Sequence, residues 1–310
     1  MRIVSLIPSA TEMVYALGLG ECLVGRSHEC DFPLTVQTLP ICCHAHIPAD
    51  VSSREIDDAV KDRLSKGLSI YEVDTEVLEQ LQPDFIITQT QCEVCAVSLE
   101  EVERATCQLV SSNPKIVDLA PMGLSDIFSD LERLGEILGV PDRAHQVVEQ
   151  WKVRMEAVNA KASILPNPPK VACIEWIDPI MNAGNWVPEL VEMAGGINLF
   201  GERDSHSHYM ELSEIADAQP DLIVIMACGY SISQSGAEMH LLTQHPDWNK
   251  IPAVRKQRVF IVDGNQYFNR PGPRVVDSLE ILTEIFHPES FPRKHGYADW
   301  ILAHEYSPTH

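Results

Sequence analysis

Six short apolar runs recur along the chain, each parted from the next by a stretch of helical periodicity. They are Ile3–Leu6, Phe85–Thr88, Ile116–Leu119, Lys170–Trp176, Leu222–Met226 and Val259–Val262. Runs this short read as buried strands. Strands that alternate with helices specify parallel sheets, so the pattern predicts an α/β fold.

The middle of the chain departs from that rhythm. Ile127, Leu131, Leu134 and Leu138 recur at helical spacing behind Ser125, a plausible N-cap. Gly139-Val140-Pro141-Asp142 interrupts the pattern, and a second helix follows over about Arg143–Ser163, closed by Pro166, Pro168 and Pro169. Some 20 residues at 1.5 Å each make a rod of roughly 30 Å, the width of a small domain. It reads as a connector between two lobes; the alternative is a long surface helix within one domain. A length of 310 residues also fits about two domains. The expected organisation is an N-terminal α/β lobe over 1–122, a helical connector over 123–165, a C-terminal α/β lobe over 166–286 and a tail over 287–310.

The two lobes echo each other. Glu76 to Ile87 and Glu214 to Val224 both read as a short helix, a Gln-Pro-Asp turn and a buried strand. Thr11 to Gly18 similarly parallels Pro188 to Gly195. Two matched pairs in the same order indicate a duplicated lobe with a cleft between the copies.

The net charge of −22 is spread along the chain, which disfavours nucleic acid and anionic membrane surfaces as partners. No stretch approaches the roughly 18 apolar residues a membrane span needs. Ile3–Leu6 follows Met1-Arg2 at once and reads as a first strand, not as a secretory leader, so a cytoplasmic location is expected. Nine cysteines, an odd number, favour thiols or metal ligands over a disulfide framework.

Ligands of parallel α/β sheets bind beyond the carboxyl ends of the strands. Those ends carry Ser9 and Thr11 after the first run, Glu175 and Trp176 at the end of the fourth, with Trp186 beyond, and Tyr267 and Phe268 after the last. Phe32 sits in another loop. An aromatic lining with few charges suits a large, flat, weakly charged ligand. Dinucleotide, P-loop, metalloprotease and nucleophile-elbow motifs are all absent, which weakens an enzymatic reading.

Ser5-Leu6-Ile7-Pro8-Ser9-Ala10-Thr11-Glu12, Val24-Gly25-Arg26, Asp31-Phe32-Pro33, Gln82-Pro83-Asp84, Gly184-Asn185-Trp186 and Pro273-Arg274 resemble the class III periplasmic-binding-protein fold. Within it, the chain is most similar to the cobalamin-binding proteins of ABC importers, and the match covers about residues 1–286. The resemblance implies two lobes bridged by one helix, a corrinoid such as cobalamin held between them, and no catalysis. Ser9, Thr11, Phe32, Trp176, Trp186, Tyr267 and Phe268 are the expected contacts. It also implies that an acidic residue on each lobe, here Glu76 and Glu214, docks onto an ABC permease. Both are equally readable as glutamates in the first turn of a helix, stabilised by its dipole.

The cysteines remain open at this level. Cys92-Glu93-Val94-Cys95 follows a strand, with Cys30 and His28 in a loop of the same lobe. It resembles a cytosolic, Cys-x-x-Cys-bearing cobalamin-binding branch. Cys30, Cys92 and Cys95 can serve as zinc or iron ligands, as a redox pair, or as inert buried thiols. Two rival functions follow. One is a ferric-siderophore or other metal-chelate binder using Arg26, Arg203, Arg270 and Arg274; the other is a metal- or thiol-dependent enzyme using Cys92 and Cys95.

Overall fold

The apolar runs are strands, and a computed structural model of the chain describes residues 1–48, 51–90, 99–109 and 111–307. Its contacts divide into two units: Met1–Val51, Glu55–Pro121 and Ser125–Glu149 form the first, and Ser52–Arg54, Met122–Leu124 and Gln150–His310 the second.

The first unit contains β1 (Ile3–Ser5), α1 (Pro8–Ala16), β2 (Leu23–Arg26), β3 (Cys43–Ala45), most of α2 (Ser53–Ser65), β4 (Tyr71–Val73), α3 (Thr75–Leu81), β5 (Phe85–Gln89), α4 (Leu99–Leu109), β6 (Lys115–Leu119) and α5 (Leu124–Ile137). β2-β1-β5-β6 is a four-stranded parallel sheet, and β3 and β4 form a separate antiparallel pair. β1 is fully buried, as the near-continuous apolar strands of parallel sheets are. Pro8 starts α1 two residues after β1, where its missing N–H costs nothing.

The division between the units falls inside α6 (Pro141–Ala162), a helix of 22 residues. The second long helix expected in this region is present, with one difference. Pro141 is the first residue of α6 and not part of an interruption, because a proline is tolerated wherever a helix has no partner for the N–H.

The second unit adds β7 (Lys170–Trp176), β8 (Met181–Asn182), α7 (Val187–Met193), β9 (Ile197–Asn198), α8 (Leu212–Ala218), β10 (Leu222–Ile225), α9 (Ile232–Thr243), α10 (Pro252–Arg255), β11 (Val259–Val262), α11 (Val275–Phe286) and β12 (Trp300–Leu302). Its sheet runs β12-β11-β10-β7-β8, with β9 on β7. The β7-β10-β11 centre is parallel, while β8 and β12 are antiparallel, so this sheet is mixed where a parallel one was expected. β12 lies in the stretch read as a tail. Arg293 anchors it by lying over the Tyr297 and Trp300 rings, 4.2 and 3.8 Å from their centroids, and by donating to the carbonyls of His295 and Gly296.

The internal echo is geometric as well as sequential. Gln82 closes α3 and Gln219 closes α8 in the left-handed region, at φ 45° and 52°. In each unit the aspartate after the proline accepts a backbone N–H at the head of the adjoining strand: Arg2 to Asp84 at 2.7 Å, Lys170 to Asp221 at 3.1 Å. Gly18 and Gly195 end α1 and α7 at φ 78° and 77°, a conformation that glycine reaches without Cβ strain. No described helix is long and apolar enough to cross a membrane.

Candidate functional site

The carboxyl end of β1 leads straight into α1, and this turns the first two nominated side chains inward. Ser9 and Thr11 are 1% and 0% exposed. The Thr11 hydroxyl donates to the Cys30 sulfur at 3.1 Å, and the Ser9 hydroxyl has no partner among the described residues. Both support the interior of the first unit. Phe32 differs: it is 47% exposed on the loop after β2, and Leu34 beside it is 76% exposed.

In the second unit, Trp176 at the tip of β7 is half-buried and its ring meets that of Tyr230, with centroids 5.2 Å apart. Tyr267 is also half-buried. Its hydroxyl donates to Asp299 at 3.0 Å, and burial beside that carboxylate raises the phenol far above its ordinary range. Trp186 and Phe268 are core residues at 4% and 1% exposed, bound to each other through the indole N–H and the Phe268 carbonyl at 2.7 Å. Phe268 takes φ 61°, and its N–H donates to the Ser278 hydroxyl at 3.1 Å. Of the nominated rings, Phe32, Trp176 and Tyr267 therefore remain accessible to a ligand, while Tyr230, against which Trp176 packs, is buried at 4% exposed.

The four arginines nominated for an anionic chelate are engaged within the protein. Arg26 is buried and donates to the carbonyls of Ser27, His28, Cys30 and Gln37. Arg203 pairs with Glu189 and Glu192. Arg270 and Arg274 are 6% and 8% exposed and donate to the side-chain carbonyls of Asn265 and Gln266. Sequence cannot anticipate this, because most of the partners are carbonyl oxygens.

Cys30 is 1% exposed, held between the Thr11 hydroxyl and the Ser5 carbonyl. Cys42 and Cys43 pack in a cluster with Val4, Leu6, Leu78 and Ile86. Burial pushes the Cys42 and Cys173 thiols up to about 12 and raises Cys43 as well. Cys42, Cys43 and Cys173 are packing groups. Cys42 and Cys173 are expected to resist iodoacetamide at pH 8 in the native protein and to react on unfolding. Rapid modification of either in folded protein, read by peptide mapping, would contradict this. Cys92 and Cys95 lie outside the described residues. Among the described residues, one group of three donors comes together, Asp277, Glu280 and His295. The Arg154 guanidinium already binds both carboxylates there, at 2.6 and 2.8 Å.

Glu76 and Glu214 are both exposed in the first turns of α3 and α8. Glu214 also closes a capping box, accepting the Glu211 N–H at 2.7 Å, whereas α3 is capped by Asp74.

A family described as periplasmic binding protein matches residues 3–265. The uncharacterised ABC transporter substrate-binding lipoprotein YvrC of Bacillus subtilis (strain 168) is 24% identical over 295 residues, covering 94% of this chain and 81% of that protein. A vitamin B12-binding protein of Vibrio parahaemolyticus is also 24% identical over 295 residues, covering 94% and 91%. Among solved structures, the periplasmic heme-binding protein RhuT from Roseiflexus sp. RS-1 superposes with a TM-score of 0.68 at 23% identity, covering 93% of this chain and 98% of that one. These likenesses overturn the expected cytoplasmic location: the family is one of periplasmic binding proteins, RhuT is periplasmic, and YvrC is an ABC transporter substrate-binding lipoprotein. A strand beginning at Ile3 marks where the fold starts and carries no information about export.

Proposed function

The chain belongs to the periplasmic binding protein family, and on that premise we propose that it binds a corrinoid of the vitamin B12 type, without catalysis, in preference to a heme or a ferric siderophore. The observation that carries this reading is the state of the arginines. Heme propionates and ferric siderophores present anionic oxygens, which call for cations on the protein. Arg26, Arg203, Arg270 and Arg274 all have partners within their own unit. A corrinoid presents neutral amides around a broad apolar ring. In the second unit, the half-buried Trp176 and Tyr267 supply flat apolar surface for it. The vitamin B12-binding relative from Vibrio agrees with this choice. Protein purified from its native host tests it by absorbance. A corrin spectrum supports the reading, and a heme Soret band or a ferric charge-transfer band refutes it.

The lipoprotein relative is a substrate-binding component of an ABC transporter, so an ABC permease is the natural recipient of the ligand. Glu76 and Glu214 are the docking carboxylates in this reading. Replacing both with alanine is expected to abolish delivery to the permease while corrinoid affinity stays within about twofold, since neither glutamate lies at the strand tips. Delivery at the parental rate would remove them from that role.

A further inference from the structure

We propose that Glu175 and Ser207 form a protonation-gated hydrogen-bond donor that recognises a neutral acceptor, an amide carbonyl, of the ligand bound at the end of β7. The inference rests on the corrinoid reading above and assigns one of its polar contacts.

Three features build this pair. Ile174 is opposite Asn182 in the β7–β8 ladder and Trp176 is opposite Met181, so Glu175 is the extra residue of a β-bulge. Bulges re-aim a side chain and recur beside functional sites. Next, two loops close on the carboxyl. The Ser207 hydroxyl donates to Glu175 Oε2 at 2.8 Å, the Gly184 N–H donates to the Ser207 oxygen at 3.0 Å, and the Gly184 N–H also bonds the carboxyl. This approach requires glycine, because a Cβ at position 184 would lie 2.4 Å from the Ser205 carbonyl and 2.7 Å from the Ser207 nitrogen. Finally, Glu175 directly precedes the half-buried Trp176 in β7, and Glu175 and Ser207 are each partly exposed as whole residues although the carboxyl itself is buried.

Among the described residues, no charged side chain partners the carboxyl. Cys173, on the same face of β7, is a neutral thiol, its titration pushed up to about 12. On the neighbouring strand end, the Cys228 N–H donates to the Glu175 carbonyl at 2.9 Å. The 205–208 loop carries His206 and His208, and the His208 ring lies against Asn182. Burial is the main cause acting on Glu175; it lifts the acid to about 7, against the pull of the Ser207 and Gly184 donors.

Protonation then decides what the pair offers a ligand. As a carboxylate, Glu175 takes the Ser207 proton and presents only acceptors. As an acid it donates, either directly or through Ser207, whose hydroxyl hydrogen is then released outward. An amide carbonyl finds a donor only in the acid form, so ligand binding takes up a proton and weakens as pH rises through about 7.

Calorimetric titration with cyanocobalamin tests this. The wild-type dissociation constant is expected to rise about tenfold from pH 6 to pH 8, with uptake of about half a proton at pH 7 when buffers of different ionisation enthalpy are compared. Glu175→Gln keeps a permanent N–H donor and should bind tightly with a flat profile. Ser207→Ala should bind more weakly at pH 6. A flat wild-type profile without proton uptake, or an unchanged slope in Glu175→Gln, overturns the inference and leaves the corrinoid reading standing. No binding at any pH overturns both. A ligand-free check is the melting temperature. Because the acid is raised in the folded state above its unfolded value, wild-type stability should fall between about pH 5 and 8 relative to Glu175→Gln; parallel curves would also overturn the inference.

Discussion

Phe268→Ala is expected to lower the free energy of unfolding by about 3–5 kcal/mol, the usual cost of removing a large buried aromatic. Phe268 is 1% exposed and among the largest fully buried side chains. Its backbone ties Ser278 and the Trp186 indole together, so the ring and the main chain act on one region of the second unit. Alanine leaves the cavity and keeps a side chain at φ 61°, whereas Phe268→Leu refills most of the volume and should lose much less. Denaturant unfolding measures the difference. Unchanged stability combined with a tenfold loss of ligand affinity would return Phe268 to the binding surface.

Trp176→Ala is expected to do the reverse. The indole is half-buried, at the strand tip, and its ring is tilted against that of Tyr230. Removing such an anchor from an interface typically costs about 2 kcal/mol or more, roughly thirtyfold in affinity. Stability should change by less than about 1 kcal/mol, as at sites outside the core. Trp176→Phe should recover most of the binding. Parental corrinoid affinity in Trp176→Ala would mean that the ligand does not lie against the second unit's strand tips.

These opposite expectations show where sequence reasoning stops. The six strands were legible because a strand covered on both faces is almost uniformly apolar. The Gln-Pro-Asp echo was legible because its residues serve in turn as a left-handed cap, a stop and a tie to the next strand. β2 escaped notice because Gly25 interrupts a run of only four residues, and β12 because three residues in a polar stretch carry no periodicity. The site was only half legible. Position after a strand nominates a residue without saying which way its side chain turns. Ser9 and Thr11 face inward because α1 begins two residues after β1, and Phe268 does so with its backbone in the left-handed region. The arginines looked available because backbone carbonyls and side-chain amides leave no pattern in sequence. Glu175 stood at a strand end in the same reading, but its two supports, Ser207 and Gly184, come from loops whose approach sequence spacing does not reveal.

The most direct measurement is a parallel calorimetric titration at pH 6 with cyanocobalamin, cobinamide, hemin and a ferric hydroxamate siderophore. The predicted result is a dissociation constant of micromolar or below for the corrinoids, on the order of 8 kcal/mol or more, and binding at least tenfold weaker for hemin and the siderophore. Tighter binding of hemin or the siderophore, or no heat from either corrinoid at concentrations well above micromolar, would contradict the account.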